Sequence, residues 1–568
     1  MKQQSAASTV ALALSVMTFS IPGHAAGFSE LGPRARERAF SISNIFAVSL
    51  DRQKHVVNQS DGGEELVMDD FSAGFRVISN TDAGIGQVGP MHFPIPRALG
   101  VGIDLELNKS VASDRYAATQ EDANKMKKPV VPYDSSVLDS WHVGDNLTAM
   151  TQGGIGFSAG PPDLGPINVG PYFWAEGDWV IYVEKTAEDH VYLKITKSKL
   201  RSFGVYADTS GMMGIGAEKF KSTDNAFSFR YDLSSERGRF AFEDAMKGHL
   251  KPSEDISDKE AKGPVIRAEV TRNASLGYVR YWYLSLFFWN HSATQGKVYA
   301  TSDERNHEDG SSSHVEYAMW LNEATTGGIF SRHKQTTDDF YAEYYTHEAR
   351  DGKVTHGYSG TFTWEIQRNK VGEKALQKFL DKLTDKTGLD DDLALKLPKT
   401  KNDYGYMDVM FEAYLGQDAV DELMDTVIRR GSAIELKLSG TAQALMNAYF
   451  AKGDDEGLCP AGDQKPPADE IDDCKSRVNE ASQTAVRKMV DELKMMAGLK
   501  ESDQKEFVKH FAEFGRQMTA NRFTFGAIMS ATSAEPMDMN LSITGSRVSK
   551  FSLDIDPGRR SLVFDFLN

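Results

Sequence analysis

The sequence predicts an α+β protein made mainly of antiparallel β-sheet, sandwich- or barrel-like, with a helical segment before a C-terminal β-meander. Three observations predict this fold. A long hairpin pattern surrounds Asp351-Gly352, strand-like alternation recurs at short intervals between residues 146 and 369, and helical periodicity replaces it after residue 369. Several strands at such spacing indicate an antiparallel sheet, sandwich or barrel.

The hairpin pattern runs from Asp339 to Trp364 and turns at Asp351-Gly352. This dipeptide favours a two-residue type I′ turn, because Asp tolerates and Gly permits the positive φ that both positions need. Such a turn fixes the register and predicts His347 opposite His356 on one face. Their Cβ atoms would lie roughly 4.5–5.5 Å apart, where two imidazolium rings repel each other. The two residues are therefore a candidate histidine pair, and a bridging metal is the weaker alternative.

Pattern and composition divide the chain into five predicted regions. They are a signal peptide (1–25), an N-terminal mixed β region (26–145), an antiparallel β-rich domain (146–369), a helical segment with a disulfide loop (370–520) and a C-terminal β-meander (521–568). Within the β-rich domain, Phe173 to Glu184 and Val191 to Ala207 predict a second hairpin across a short polar turn.

In the helical segment, apolar residues recur at i, i+3, i+4 and i+7, as between Val420 and Ile428, and Gly431 predicts the end of that helix. About five helices are predicted, each with an apolar stripe wide enough to be buried. Alternation returns at Phe523 to Ala527, which predicts a strand at the start of the C-terminal meander.

The N-terminus predicts export. Lys2 supplies a positive charge, Val10 to Ile21 is an apolar stretch too short to span a bilayer, and small residues precede a cleavage site after Ala25. A buried N-terminal helix is the alternative. The expected location is the periplasm or outer membrane. The formal net charge of −17 argues against nucleic acid as a partner, because phosphates require Lys and Arg.

The two cysteines of the chain are Cys459 and Cys474. An even pair in an exported chain predicts a disulfide. Two thiolates with no histidine nearby are too few ligands for a metal site. The loop between them is rich in proline and acidic residues, and its closure by a disulfide would stabilise the fold by about 3 kcal/mol.

Catalytic and nucleotide motifs fail on their context. Gly84 to Gly89 matches GxGxxG, but Pro90 follows where a dinucleotide site needs a helix. Gly156 to Gly160 matches GxSxG, but Pro161 follows where a nucleophile elbow needs a helix, so a glycine-rich turn is expected. The sequence therefore predicts no catalytic residue, no cofactor and no metal ligand, and it favours a binding protein over an enzyme.

The expected function is that of an exported, non-enzymatic cell-envelope protein that binds an unknown ligand or envelope partner through its β-rich domain. An outer-membrane β-barrel or pore is the first alternative. The aromatic run Tyr278 to Trp289 predicts either a central strand buried on both sides or a strand facing lipid, and the second of these favours the barrel. The basic residues Lys197, Lys199 and Arg201 and the polar final residue Asn568 oppose it. A secreted hydrolase that uses a histidine-rich face is the second alternative.

Overall fold

The computed structural model describes residues 45–58, 65–80, 85–88, 91–94, 100–160, 168–208, 213–259, 262–286, 289–327, 334–368, 371–387, 407–451, 468–531, 537–545, 548–555 and 563–565. The predicted signal peptide, Cys459 and the glycines Gly84 and Gly89 lie outside these ranges.

One antiparallel sheet of sixteen strands dominates the molecule. Its strands are β1 Ile45–Asn58, β2 Glu65–Asn80, β5 Gly100–Ala117, β6 Asn146–Gly160, β7 Asn168–Ala187, β8 His190–Asp208, β9 Met213–Asp232, β10 Val265–Leu286, β11 Trp289–Asn306, β12 Ser312–Gly327, β13 Lys334–Glu348, β14 Val354–Arg368, β15 Met407–Leu415, β16 Met537–Gly545, β17 Val548–Ile555 and β18 Val563–Asp565. The short strands β3 Ile85–Val88 and β4 Met91–Pro94 pair with each other. Spatial order in the large sheet follows chain order throughout, so the sheet is a meander.

Nine α-helices and one 3-10 helix occur among the described residues. They are α1 Gln120–Lys125, the 3-10 helix Ser135–Ser140, α2 Glu236–Met246, α3 Lys251–Lys259, α4 Glu373–Thr387, α5 Gln417–Arg430, α6 Ser432–Ala451, α7 Ala468–Leu499, α8 Gln504–Met518 and α9 Arg522–Met529. None of these described helices combines the length and apolar character needed to cross a membrane. The α+β class, the antiparallel sheet and the helices before the C-terminal strands are confirmed. The sheet draws strands from every predicted region after residue 25, and the predicted domain boundaries stay a prediction.

Side chains of the sheet alternate between two faces. The register places Arg272, His314 and Phe340 on one face, which we call face A, and Ser313 and Asp339 on the other, face B. Two groups of helices pack on the sheet, and both cover parts of face A, where large apolar side chains project. Which stretches of face A the helices cover decides where a site can lie.

Helices α4 to α9 cover face A over strands β12 to β16 and form the larger core with it. The rings of Phe340 and Phe511 pack edge to face at 5.7 Å, and those of Phe362 and Phe525 lie 6.0 Å apart. Helix α8 can approach the sheet this closely because it has Gly515 at the contact, where a Cβ would lie 2.1 Å from the ring of Phe340.

A second core lies on face A at one end of strands β6 to β10. Val183 and Leu193 are directly opposed on β7 and β8 and fully buried. Helix α2 covers them with Phe242, whose ring packs against Tyr231 at 5.5 Å. The rest of face A on these strands has no covering helix among the described residues.

The predicted central hairpin exists as β13 and β14, but its turn differs from the prediction. The N–H of Ala349 donates to the carbonyl of Lys353 at 2.9 Å, and the N–H of Gly352 donates to the carbonyl of Ala349 at 2.8 Å. Gly352 has a φ of +79°. This is a three-residue loop with a glycine in the left-handed region, not the two-residue type I′ turn.

That difference shifts the register by one residue, and the predicted histidine pair is wrong. Thr346 lies opposite His356, and His347 lies opposite Thr355. A shift of one residue moves a side chain to the other face of a sheet. His356 is therefore on face A and His347 on face B.

Three further local predictions are wrong. Phe523 to Ala527, predicted as a strand, belongs to α9, which begins with a capping box between Asn521 and Thr524. Strand β15 lies inside the segment predicted as helical. The GxSxG stretch Gly156 to Gly160 is the end of strand β6 and not a turn.

Candidate functional site

A polar pocket of about 410 Å³ opens at one end of strands β10 to β14, beside the start of helix α8. This volume suits a small ligand. Its walls carry three arginines, two histidines, three carboxylates and smaller side chains: Arg267, Arg272, Arg305, His307, His314, Asp303, Glu304, Glu348, Ser312, Ser313, Thr346, Val270 and Val354.

Strand pairing builds the pocket as two neighbouring rows on face A. The first row runs from β10 to β13 through directly opposed residues, Arg272, Asp303, His314 and Thr346. The second row runs from β10 to β14 through Val270, Arg305, Ser312, Glu348 and Val354. The backbone ladder therefore fixes the spacing of these side chains before any of them makes a contact.

His314 is held between two carboxylates. Its Nδ1–H donates to Asp303 Oδ1 at 2.7 Å and its Nε2–H donates to Glu316 Oε1 at 3.1 Å. The hydrogen bond to Glu316, with the smaller effect of Asp303, outweighs burial and raises the pKa of His314 to about 9. His314 is a cation at neutral pH with both ring nitrogens engaged, so it cannot act as a general base.

Glu316 connects the pocket to helix α8. It is buried and accepts a hydrogen bond from the hydroxyl of Tyr299. The ammonium groups of Lys505 and Lys509 lie 4.9 and 5.1 Å from the centre of the Tyr299 ring. Gln504, the first residue of the helix, donates to Thr346 Oγ1 at 3.2 Å. Sheet and helix therefore both contact this wall of the pocket.

Arg272 and Arg305 flank Asp303 on face A, and both are exposed. Within the part of the chain that the structure describes, neither guanidinium forms an ion pair. Arg267 differs, because it pairs with Asp258 of α3 at 3.1 Å. Two arginines with free hydrogen-bond donors are thus directed at the same opening.

His307, at the pocket wall, is a different kind of imidazole from His314. Burial, with Arg305 and Arg267 nearby, lowers its pKa, so it is neutral at pH 7. Glu304, opposite Ser313, is directed to face B, where partial burial and the neighbouring Glu269 raise its pKa. The pocket therefore combines the fixed positive charges of its arginines with one neutral and one protonated imidazole.

The sequence-predicted candidates are dispersed. His347 bonds Ser313 Oγ through Nδ1 at 3.0 Å on face B, whereas His356 stacks on Tyr344 on face A. Cys459 is outside the described residues, so its predicted disulfide with Cys474 stays a prediction. Among the described residues, no group of three or more His, Cys, Asp or Glu side chains is arranged to hold a metal ion.

Sequence reasoning missed Arg272, Asp303 and His314, because they come from three separate strands. Their proximity depends on the register of β10, β11 and β12, which no local motif encodes. The available signal was weak: charged residues at the ends of three successive strands, on either side of short polar turns.

Glu316→Gln is expected to lower the pKa of His314 from about 9 towards the ordinary value of about 6.5, since the hydrogen bond to Glu316 is the largest cause of the shift. Asp303→Asn should cause a smaller fall. Proton NMR titration of the His314 ring, assigned with a His314→Asn variant, measures both. A pKa that stays near 9 in Glu316→Gln would show that the hydrogen bond to Glu316 does not set the pKa of His314.

The pocket can bind an anionic group through Arg272 and Arg305, and it can accept hydrogen bonds from the same ligand through Glu348 and Ser312. Its cation His314 is already neutralised by the protein. The sequence matches no protein-family model, and no curated protein is significantly similar to it.

Proposed function

We propose that this protein is an exported, non-enzymatic envelope protein that binds a small anionic ligand in the pocket on strands β10 to β14. The observation that carries the proposal is the pair of exposed guanidiniums, Arg272 and Arg305, beside His314, whose two ring nitrogens are already hydrogen-bonded to Asp303 and Glu316. Export rests on the signal peptide predicted at residues 1–25.

Arginine suits a carboxylate or phosphate group, because its planar fork can donate two parallel hydrogen bonds. Arg272 is directly opposite Asp303, and Arg305 lies two residues further along the same strand as Asp303. Side chains in directly opposed and diagonal positions have Cβ atoms within about 5–8 Å of each other. Both arginines can therefore reach one anionic group.

The remaining pocket walls define the rest of the ligand. Glu348 and Ser312 are opposed on the second row and can accept from a hydroxyl or an ammonium group. Val270 and Val354 close the ends of that row with apolar surface. A compact molecule with one anionic end and several polar groups fits this arrangement.

Replacing both arginines, Arg272→Ala with Arg305→Ala, should weaken binding of an anionic probe at least about tenfold, because a hydrogen bond to a charged group contributes about 1.5–3 kcal/mol. Isothermal titration with inorganic phosphate, succinate and glucose 6-phosphate measures the effect. Arg201→Ala, an exposed arginine on β8 away from the pocket, is the matched control and should bind like the unchanged protein.

Binding of none of the three probes, or equal binding by the double variant, would refute the anion-binding proposal. Cell fractionation tests the location separately, with the protein expected in the periplasmic or outer-membrane fraction. Recovery from the cytoplasm alone would refute export without affecting the pocket.

A further inference from the structure

We propose that a second surface, on face A away from the pocket, docks onto an anionic lipid bilayer. This basic-apolar surface covers strands β7 to β10 beyond the core under helix α2. Its exposed apolar members are Phe173, Phe203, Val205, Met213, Ile215, Leu276, Tyr278 and Trp282. Its basic members are Lys199, Arg201, Lys219, Lys221 and Arg280.

Cross-strand pairing makes these side chains one continuous surface. Phe203 is directly opposite both Phe173 and Lys219, and Lys219 is opposite Tyr278. Ile215 is opposite Trp282. With neighbouring strands about 4.8 Å apart and a rise of about 3.3 Å per residue, the surface extends over several hundred Å². An exposed apolar area of that size is typical of an interaction site.

Exposure of these residues is large for their type. The exposed fractions of Ile215, Phe203 and Trp282 are 61%, 57% and 44%. On face B of the same strands, by contrast, the apolar side chains of Phe220 and Val279 are buried. These strands therefore direct apolar side chains to both faces, and on face A nothing in the described chain covers them.

The charge on this surface is of one sign. The chain has a formal net charge of −17, yet the face A positions of Phe173–Trp179, Lys197–Ala207, Met213–Asn225 and Arg272–Trp282 include no carboxylate. The acidic residues of these stretches, such as Glu176, Glu218 and Asp224, point to face B. Such segregation in an acidic protein indicates an anionic partner.

The order of the side chains along the strands favours a bilayer over a protein or a nucleic acid. Met213, Ile215 and Trp282 lie nearest the ends of the strands, whereas Lys219 and Lys221 lie further back. From Ile215 to Lys219 the distance along β9 is about 13 Å. Apolar tips can thus enter the boundary of the acyl chains while lysines and arginines meet the headgroups.

The aromatic residues of the surface also favour contact with the interface between headgroups and acyl chains. Trp and Tyr are enriched where a protein meets the membrane-water interface, because their rings are apolar and their tips polar. Arg280 donates from Nε to the Tyr278 hydroxyl at 3.0 Å, which keeps this cation beside the ring at the surface. The sequence alone left the run Tyr278 to Trp289 open between a strand buried on both sides and one facing lipid. The structure exposes Tyr278 and Trp282 and buries Val279 and Tyr281.

Vesicle flotation tests the proposal with the purified protein. We expect binding to phosphatidylcholine vesicles that contain 30% phosphatidylglycerol, at least tenfold weaker binding to pure phosphatidylcholine, and release of most protein at 0.5 M salt, because salt screens surface charges. This comparison needs no variant. Equal binding to both vesicle types, or to neither, would overturn the proposal.

Two sets of variants then locate the surface. Lys219→Gln with Lys221→Gln and Arg201→Gln should reduce binding to anionic vesicles at least tenfold, and so should Phe203→Ser with Ile215→Ser. All five side chains are exposed, and unchanged circular dichroism confirms folding. Arg272→Ala with Arg305→Ala removes two cations from the pocket instead and should bind vesicles normally.

A loss of vesicle binding in the pocket variant equal to that in the lysine variant would place the lipid contact elsewhere. Binding of a DNA duplex that depends on Lys219 and Lys221, without vesicle binding, would identify a nucleic-acid surface and overturn the lipid proposal.

Discussion

Phe511→Ala is expected to lower the free energy of unfolding by about 3–5 kcal/mol, the range for removal of a buried phenylalanine ring. Phe511 is fully buried where helix α8 meets the sheet, and its ring packs against Phe340 at 5.7 Å, Phe507 at 6.0 Å and Phe514 at 6.3 Å. Phe340 is held by strand β13, and Phe507 and Phe514 are buried on the same helix, so these rings cannot readily move in to fill the cavity. Urea unfolding followed by circular dichroism measures the change.

Two further variants make this result specific. Leu436→Ala, on α6 with 74% of its side chain exposed, should change the free energy of unfolding by less than about 0.5 kcal/mol. Gly360→Ala should also destabilise the protein, by about 1–3 kcal/mol, but through overpacking and not through a cavity. Its Cβ would lie 2.6 Å from Phe511 Cζ. A Phe511→Ala effect no larger than that of Leu436→Ala would mean that the helical layer is not packed on the sheet as described.

Asp339→Asn is expected to stabilise the protein from about pH 5 upward. Asp339 lies on face B, where burial raises its pKa to about 8, although the N–H of Asn322 donates to it at 2.8 Å. Nearby Glu323, Asp338 and Glu365 add to the rise. In the unfolded chain its pKa is about 3.9. Folding therefore favours the protonated acid.

The pH dependence follows from that difference. Below about pH 4 Asp339 is protonated in both the folded and the unfolded state, so it does not lower the free energy of unfolding. As the pH rises from there to about 8, that free energy falls progressively. Asparagine stays neutral and still accepts from Asn322. Between pH 5 and pH 8 the variant should therefore gain about 1–3 kcal/mol on the unchanged protein, a range reduced because water partly screens this site.

Thermal or urea unfolding at several pH values measures this gain. Burial and Glu365 also raise the pKa of Asp408 to about 7, so part of the alkaline loss should remain in the variant. The exposed Asp139→Asn is the matched control and should leave the pH profile unchanged. If Asp339→Asn and the unchanged protein lose stability in parallel from pH 5 to pH 8, then Asp339 is ionised in the folded state.

Periodicity was sufficient to predict the fold class and most elements. The stripe from Val420 to Ile428 became α5, which ends at Gly431 as expected, and the hairpin predicted from Phe173 to Ala207 became β7 and β8. The stripe of α5 was a reliable guide because Val420, Leu423, Met424 and Val427 are buried in the larger core. The strand prediction for Phe523 to Ala527 was wrong because all of its apolar residues are buried in a short helix. In such a helix, alternation of apolar residues does not distinguish a strand from a helix.

The candidate site could not be predicted from local patterns. A single extra loop residue at Ala349 to Lys353 placed His347 and His356 on opposite faces, so a correct hairpin still gave a wrong pair. Glu316 lies two residues from His314 on β12, but the contact of His314 with Asp303 depends on pairing between β11 and β12. Pairing of that kind is a property of the whole sheet, and the sequence shows it only as unremarkable charges near strand ends.

The place at which the helices interrupt the meander has an entropic consequence. Leu415 of β15 pairs with Met537 of β16, although helices α5 to α9 lie between them in the chain. Compared with a tight turn, closing a loop of that length costs about 3 kcal/mol of chain entropy, because the cost grows only with the logarithm of loop length. One buried phenylalanine in the inserted layer contributes as much. A sheet that follows chain order can therefore accommodate a whole helical layer at one hairpin without losing the pairing on either side.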